Sequence, residues 1–527
     1  MSASPIQVNF ASSIKGVIVG GSFDELIARK HPAHDVALGE LLVAEAGNQQ
    51  YVLQVYHLSY ASQRTQAQRE ELSSRLMQTE QLLAVDTNDE HNYQLLHLKN
   101  LLSLKPFPSR AKTMPPLFSP LRAITPQDLP FLATTKGLYL GNLRATSHDF
   151  LFPIYLDPLK TISHHLLIAA TTGRGKSNLT ALILSSCLES PAIGCLVLDP
   201  HDEYYGRNGI GLKDHPKKEH VVYYTAHHPP LGQHTLKINC SWLKPYHFQG
   251  VVEWTDAQQD LLYAYFREKG KRWIEALLKE EPIALTASFQ ESTKAVVKRK
   301  LTQLLEIQSA GNHFVGEGIF TLTGSEHTVP DIVHALAKGN VVIIDTSTLS
   351  SQSELLVGSL LAHLLFHEHK KRKKESMLSS HPVVCIVLEE APRVLGKDAL
   401  EKGNNIFATI AREGRKFNVG LCAITQLPSL IPREILANLN TKIILGIEMQ
   451  PERDAIITAA AQDLRSYSQA IASLNTGEAL ISSTFLMFPI PLHIPYFPEV
   501  LERLNNEEQE KKGIKNPPYQ LGIELQD

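Results

Sequence analysis

The segment Ala170-Thr-Thr-Gly-Arg-Gly-Lys-Ser177 decides the fold of this 527-residue chain. It directly follows the apolar run His165-Leu-Leu-Ile-Ala-Ala170 and directly precedes the helix-forming stretch Asn178-Leu-Thr-Ala-Leu-Ile-Leu184. A buried strand, a glycine-containing turn and a helix start, in this order, form a loop that binds phosphates. Its backbone N–H groups converge where the helix dipole favours anions. The segment therefore predicts a nucleotide-binding α/β domain.

Each residue type in this loop has an expected role. Gly173 and Gly175 let the backbone approach a triphosphate, Lys176 neutralises the outer phosphates, and the Ser177 hydroxyl is suited to ligate Mg²⁺. Ala170 replaces the glycine that usually opens the pattern, and alanine must keep φ negative. The alternative is a glycine-rich loop with an incidental lysine. We expect ATP and Mg²⁺ as ligands, with nucleotide contacts from Thr172, Gly173, Arg174, Gly175, Lys176, Ser177 and Asn178.

Composition places the chain among ordinary α/β proteins with room for about three domains. It has 43% hydrophobic residues, and 51 basic against 54 acidic side chains give a net charge of −3. Overall charge therefore does not indicate a nucleic-acid binder, although a local basic channel is compatible with it. The five cysteines have no C-x-x-C spacing, and neither a leader peptide nor a membrane helix is recognisable. We expect a cytoplasmic protein with reduced cysteines, no structural metal and no membrane partner.

The pattern divides the chain into three regions. Residues 1–150 carry short β-rich runs separated by turns, which predict a small β-barrel, with a leucine-rich helical hairpin inserted at about 63–104. That hairpin either packs on its own domain or binds a partner as a coiled coil. Residues 151–500 form the nucleotide-binding core, interrupted by a helical subdomain at about 242–338, and residues 501–527 form a C-terminal tail.

Apolar, β-branched runs recur after the phosphate loop. They are typical of central parallel strands that are buried on both faces. The predicted strands are Gly194–Asp199, Asn340–Asp345, Val383–Leu388, Val419–Thr425 and Lys442–Ile447.

Polar residues follow two of these strands. Glu389 and Glu390 come directly after one strand, and Gln426 follows the next. Ligands of α/β sheets bind at the carboxyl ends of strands, so we expect Glu389 to share the magnesium shell with Ser177 and Glu390 to activate the attacking water. Gln426 is a candidate for sensing the γ-phosphate or holding the water. Alone, an acidic pair of this kind would more often simply solvate a strand end.

A cluster of cations lies between those strands. Arg412, Arg415 and Lys416 stand at a helix end, where positive charge complements the helix dipole. The functional alternative is an arginine finger, which stabilises charge on the transferring phosphoryl group.

Taken together, these motifs resemble the HerA branch of the HerA/FtsK superfamily of hexameric DNA-translocating ATPases. The segment Leu198-Asp-Pro-His-Asp-Glu-Tyr204 resembles that family's Asp-Pro-His-Gly-Glu-Tyr motif, and the β-rich N-terminus resembles its HAS-barrel. The resemblance implies a RecA-like P-loop NTPase core in a homo-hexamer, a catalytic arginine from the adjacent subunit at Arg412 or Arg415, and the C-terminal tail packed on the ring or a neighbour. Pro392 stands where the family often has histidine.

The resemblance implies an ATP-driven, helicase-type translocase on double-stranded DNA. It also implies a nuclease or other effector partner on the barrel, in DNA end processing or antiviral defence. The alternative is a nucleotide-gated hexameric scaffold that regulates an effector without moving along DNA. A metabolic kinase fits poorly, because no acceptor pocket is recognisable. DNA contacts stay open between the run Lys370–Lys374 and a second basic group formed by Lys294, Lys298, Arg299 and Lys300. The alternative for the run, which the pattern favours, is a solvated helix C-terminus stabilised by the helix dipole.

Overall fold

The computed structural model describes residues 14–78, 91–134, 136–144, 152–284, 289–310, 313–401, 403 and 405–512. The chain divides into two compact units, each discontinuous in sequence. Unit 1 comprises Met1–Lys176, Glu390–Lys397 and Ala423–Ile494, and unit 2 comprises Ser177–Glu389, Asp398–Cys422 and Pro495–Asp527.

Unit 1 begins with a closed, antiparallel β-barrel. Its order is β2-β1-β7-β3-β4-β5, and a further pairing of β2 with β5 closes it. Inward-facing side chains such as Leu42, Leu53 and Leu98 form one buried cluster, so the predicted barrel is confirmed. The elements of this region are β1 (Ile14–Gly21), β2 (Leu26–Lys30), β3 (Leu41–Ala46), β4 (Gln49–Ser62), α1 (Gln66–Gln78), β5 (Asn92–Ser103), β6 (Ser109–Arg110) and β7 (Pro120–Ala123).

The second arm of the predicted helical hairpin is wrong. The first arm is helical as α1, but residues 92–103 form β5, which pairs with both β4 and β2. Leu96 and Leu98 alternate into the barrel core, so cross-strand packing overrides the helix propensity of leucine. The predicted turn at 86–89 and the leucines at 82 and 83 lie outside the described residues.

The rest of the chain alternates strands and helices. The strands are β8 (Leu138–Leu143), β9 (Pro153–Leu156), β10 (Leu166–Ala169), β11 (Ile193–Asp199), β12 (Val221–Thr225), β13 (His234–Thr235), β14 (Ile238–Asn239), β15 (Ile307–Ala310), β16 (His313–Gly316), β17 (Phe320–Thr321), β18 (Val341–Asp345), β19 (Val383–Leu388), β20 (Val419–Thr425), β21 (Thr441–Ile444), β22 (Glu478–Ser482) and β23 (Ile490–His493). The helices are α2 (Pro158–Ser163), α3 (Lys176–Leu188), α4 (Asp256–Lys269), α5 (Trp273–Leu278), α6 (Glu291–Leu305), α7 (Thr328–Ala337), α8 (Ser351–Lys374), α9 (Pro392–Leu395), α10 (Lys397–Glu401), α11 (Ile406–Glu413), α12 (Arg433–Asn438), α13 (Gln450–Ala459), α14 (Ser468–Ala472) and α15 (Phe497–Lys511).

The core part of unit 1 is a mixed sheet. Strand β10 pairs in parallel with β21, and the order continues antiparallel through β22, β23, β8 and β9. Every residue of β10 and β21 is buried, as predicted for strands covered on both faces. The last segment of β20, from Ala423 onward, also belongs to this unit.

Unit 2 contains a purely parallel sheet. Its order is β13-β12-β18-β11-β19, and β11 lies between β18 and β19 in register. Strand β19 has the predicted bounds Val383–Leu388 and is buried throughout. The cysteines of the chain are free and buried, as expected for reduced core residues.

The segment between β14 and β18 is mainly helical, as predicted for residues 242–338. It contains α4 to α7 together with the antiparallel pair β15 and β16. The fully buried Trp273 anchors this region, because its indole N–H donates to the carbonyl of Leu243 at 2.8 Å. Within the described residues, no helix combines the length and hydrophobicity that crossing a membrane requires.

One lysine of unit 1 is buried inside the sheet. Lys442 of β21 is 1% exposed, and its ammonium donates to the carbonyls of Leu436 and Leu439 at 2.9 and 2.7 Å. These carbonyls lie at the end of α12, where helix carbonyls have no intrahelical donor. Burial lowers the pKa of Lys442 to about 7, because the charged form is poorly solvated there.

Replacing Lys442 by methionine should change how stability depends on pH. Between pH 7 and about 10 the unfolded chain binds a proton that native Lys442 has released, so native stability rises with pH. The unfolding free energy of the wild type minus that of Lys442→Met should grow by about 3 kcal/mol from pH 7 to 9.5. Guanidinium unfolding at both pH values measures this, and a pH-independent difference would contradict it.

Candidate nucleotide-binding site

The phosphate loop in unit 1 is fixed by backbone hydrogen bonds at its start. Strand β10 ends at Ala169, and the N–H of Ala170 donates to the carbonyl of Thr425 at 3.2 Å. The N–H of Thr171 donates to Gly446 at 3.1 Å. The loop therefore begins between the ends of β20 and β21.

The two loop glycines are required by backbone conformation. Gly173 and Gly175 have φ of 77° and 92°, and a Cβ added to either would meet nothing within 4 Å. Only the positive φ therefore disfavours a side chain at these positions. Ala170 is buried and is not among the residues with positive φ, so alanine is compatible with the backbone there.

Side chains of the loop contact the adjoining strand ends. The Thr172 hydroxyl donates to the amide oxygen of Gln426 at 2.5 Å, which brings two predicted site residues together. Arg174 forms an ion pair with Glu448 and donates to the carbonyl of Leu474 at 3.1 Å. Sequence reasoning did not find the part played by Glu448, since a single acid beyond a strand carries no local signal.

Glu390 also belongs to unit 1 and lies beside the same strand end. The N–H of Ala391 donates to the carbonyl of Ile424 at 2.9 Å, one residue before the acceptor used by Ala170. Glu390 is exposed and has a φ of 47°, a left-handed backbone that is uncommon for a residue other than glycine. Such conformations concentrate at functional sites. Pro392 opens α9. This position suits proline, which lacks an N–H, because the first N–H groups of a helix have no intrahelical partner.

Ser177 and Asn178 lie in unit 2, in the first turn of α3. The amide of Asn178 donates to the carbonyl of Pro495 at 2.9 Å and accepts from the N–H of Phe497 at 2.8 Å. Asn178 thereby holds the chain that leads into α15. Its predicted contact with nucleotide stays a prediction.

Glu389, the last residue of its segment of unit 2, is bound by a tyrosine. The Tyr204 hydroxyl donates to Oε1 of Glu389, and the Tyr204 side chain is 2% exposed. Burial raises the pKa of Glu389, and the tyrosine hydrogen bond opposes that effect without cancelling it. Tyr204 closes the segment Asp199–Tyr204, to which sequence reasoning assigned no chemistry.

Asp199 organises that segment from the end of β11. It is fully buried, and its two carboxylate oxygens accept from the N–H groups of His201 and Tyr204 at 3.2 and 3.0 Å. Burial raises the pKa of Asp199 to about 6, although these backbone hydrogen bonds favour the charged form. The acid shapes the turn that brings Tyr204 to Glu389.

The predicted cations of unit 2 are at the surface. Arg412 lies in the last turn of α11 and Arg415 in the following turn, and both are exposed. Their catalytic role stays a prediction. Two lysines of the run Lys370–Lys374 lie over aromatic rings. The ammonium of Lys370 is 4.2 Å from the ring centre of Phe366, and the ammonium of Lys373 is 4.9 Å from the ring centre of Phe417.

Members of the second basic group have local partners. Lys294 pairs with Glu291 at 2.7 Å, Lys298 pairs with Glu280, and Lys300 donates to the carbonyl of Glu253 at 2.7 Å. These contacts account for three of the four cations without invoking a nucleic acid.

A strand, a loop with two left-handed glycines followed by Lys-Ser, and a helix define a P-loop NTPase. Residues 138–365 match the family model described as "Helicase HerA, central domain". The predicted resemblance to HerA is thus confirmed over these residues, and the loop itself makes the chain a P-loop ATPase.

Relatives named HerA are similar to this chain over most of its length. The DNA double-strand break repair helicase HerA of Pyrococcus furiosus is 26% identical over 389 residues, which cover 66% of this chain and 68% of the relative. The protein of the same name from Sulfurisphaera tokodaii is 25% identical over 391 residues, covering 73% and 74%. Among solved structures, VirB4 of Thermoanaerobacter pseudethanolicus aligns with 70% of this chain and 99% of its own at a TM-score of 0.47 and 16% identity.

Substituting Gly175 by alanine should weaken nucleotide binding through the backbone alone. The left-handed conformation costs a residue with a Cβ about 1–2 kcal/mol. An alanine loop would therefore adopt the binding conformation less often, and affinity should fall roughly tenfold. Calorimetric titration with a non-hydrolysable ATP analogue measures the loss. The matched control is Ala170→Gly, which should leave affinity within about twofold because φ there is not positive. A gain of affinity in the control, or none lost in Gly175→Ala, would contradict the argument.

Proposed function

We propose that this chain is an ATP-driven motor that translocates along double-stranded DNA as a homo-hexamer. Relatives of similar length are named DNA double-strand break repair helicases, which supports DNA as the substrate of this class of ATPase. A ring is the assembly that the resemblance to HerA implies, and in a ring each subunit would receive an arginine from its neighbour.

The observation that carries the proposal is the arrangement around the end of β20 in unit 1. Thr425 and Ile424 offer successive carbonyls, which accept from the phosphate loop on one side and from Ala391 on the other. Glu390 is thereby held next to the strand end from which Gln426 contacts Thr172 of the loop. A general base and a hydrogen-bonding amide beside a phosphate loop are what hydrolysis of a nucleotide needs.

The proposed roles follow from the chemistry of each side chain. Lys176 neutralises the outer phosphates, Glu390 accepts a proton from the attacking water, and Gln426 orients that water or senses the γ-phosphate. Ser177 and Glu389 provide hydroxyl and carboxylate oxygens, the ligands that Mg²⁺ prefers. Bound Mg²⁺ would neutralise charge on the phosphates.

The remaining roles depend on other subunits and partners. Arg412 or Arg415 would stabilise the transferring phosphoryl group of a neighbouring protomer, since both guanidinium groups are exposed. A nuclease or other effector would dock on the N-terminal barrel, and the motor would serve DNA end processing or antiviral defence. These assignments extend the resemblance to HerA.

Replacing Glu390 by glutamine tests the motor. ATP hydrolysis should rise on addition of duplex DNA in the wild type, and Glu390→Gln should reduce the rate by about 100-fold or more because the proton acceptor is lost. Nucleotide affinity should stay nearly unchanged, whereas Lys176→Ala should abolish binding. Glu434→Gln, another exposed acid of unit 1, serves as the control with wild-type turnover. A rate of ATP hydrolysis that does not change when duplex DNA is added would favour a nucleotide-gated scaffold instead.

The oligomer is tested separately by mass. Light scattering with ATP and duplex DNA present should give a species about six times the protomer mass of 58.6 kDa. A monomer under all conditions would contradict a catalytic arginine supplied in trans, and a dimer would contradict the hexamer.

A further inference from the structure

Tyr204 of unit 2 is buried, and its hydroxyl makes a hydrogen bond that packing alone does not explain. Its ring is buried, and its hydroxyl donates to Oε1 of Glu389. A buried tyrosine needs a hydrogen-bond partner for its O–H, but a backbone carbonyl would serve equally well. Here the partner is the acid proposed for the magnesium shell.

The local backbone places the Tyr204 hydroxyl beside the end of β19. Strands β11 and β19 are parallel neighbours, with Leu198 opposite Leu388, so their carboxyl ends lie side by side. The chain leaves β11 at Asp199, turns through Asp202 with a φ of 53°, and returns to the strand end at Tyr204. Asp199 holds the return by accepting from the N–H of Tyr204 at 3.0 Å.

A third residue ties the pair to the helix that follows the phosphate loop. The hydroxyl of Thr180, in α3, hydrogen-bonds the Tyr204 hydroxyl and is itself buried. Thr180 is one helical turn beyond Ser177. The network Thr180–Tyr204–Glu389 thus runs from the helix that carries Ser177 to the acid at the end of β19.

The geometry points to Tyr204 as a positioning residue that fixes the Glu389 carboxylate for the magnesium–nucleotide complex. This inference rests on the role of Glu389 given under the proposed function. A glutamate side chain has several rotatable bonds, and holding one carboxylate oxygen leaves the other in a defined direction. The hydroxyl also replaces water around an acid that burial would otherwise destabilise.

The test is Tyr204→Phe, which removes one oxygen and keeps the ring in its buried place. Two readouts apply: the Mg²⁺ concentration that gives half-maximal hydrolysis, and the rise in melting temperature that Mg²⁺ adds to a non-hydrolysable ATP analogue. We expect about a tenfold higher Mg²⁺ requirement and a smaller Mg²⁺-dependent rise. The stabilisation by the analogue in EDTA should match the wild type.

The adjacent Tyr205 provides a matched control. It is also buried, but its ring stacks on Tyr223 at 4.2 Å between ring centres. Tyr205→Phe should keep the wild-type Mg²⁺ requirement. Similar melting temperatures of the two variants without nucleotide would show that Tyr204→Phe folds.

Combination with Glu389→Gln separates this inference from the proposed function. If Tyr204 acts through Glu389, adding Tyr204→Phe to Glu389→Gln should raise the Mg²⁺ requirement no further. A normal Mg²⁺ requirement in Glu389→Gln alone would overturn the role of Glu389 itself. An effect of Glu389→Gln together with a wild-type requirement in Tyr204→Phe, or additive effects in the double variant, would overturn only the role of Tyr204.

If Tyr204→Phe does not fold, Thr180→Val replaces it. This near-isosteric change removes the hydroxyl that holds Tyr204 from α3. It should raise the Mg²⁺ requirement in the same direction by a smaller factor, and an unchanged requirement would overturn the inference.

Discussion

The candidate site depends on two adjacent backbone carbonyls at the end of β20. Ile424 and Thr425 accept from Ala391 and Ala170, and these two hydrogen bonds hold the segment carrying Glu390 and the phosphate loop beside one strand end. The groups involved belong to the main chain, so these hydrogen bonds do not use the functional group of any side chain. The roles proposed for the phosphate loop, Glu390 and Gln426 require this shared strand end.

Around that strand end, the chain adopts conformations that most residues avoid. Gly173 and Gly175 meet the requirement by lacking a Cβ, whereas Glu390 adopts a left-handed backbone in spite of having one. The cost at Glu390 must be offset by the surrounding structure, including the Ala391 hydrogen bond. The same logic explains why Ala170 is acceptable in place of glycine. The usual sequence pattern is stricter than the backbone of this chain needs.

Local signals predicted much of the fold. Strands β19 and β20 have the predicted bounds, because unbroken apolar runs followed by polar residues leave little doubt about where a buried strand ends. The prediction of a helix at residues 92–103 was wrong because the leucines of this segment suit a helix and a strand equally well. Only the pairing with β4 and β2 makes it a strand. A lysine within the run that forms β21 gave no sign that it would be buried against the end of α12.

The predictable part of the site is the part with short-range patterns. The phosphate loop and the acidic pair are recognisable from residue type and spacing. In contrast, the hydrogen bond from Tyr204 to Glu389 joins residues 185 positions apart, and that from Arg174 to Glu448 joins residues 274 positions apart. No periodicity encodes such contacts. They follow from strand order, which a single sequence does not specify.

Closure of the barrel has a consequence for recognition. Strands β1 to β5 and β7 each have a neighbour on both sides, so their backbone N–H and C=O groups are already engaged along the paired segments. A protein that docks on these doubly paired segments therefore cannot use the β-augmentation that an open sheet edge offers. Its specificity must reside in loop and side-chain complementarity, which can diverge between related proteins while the backbone scaffold stays the same.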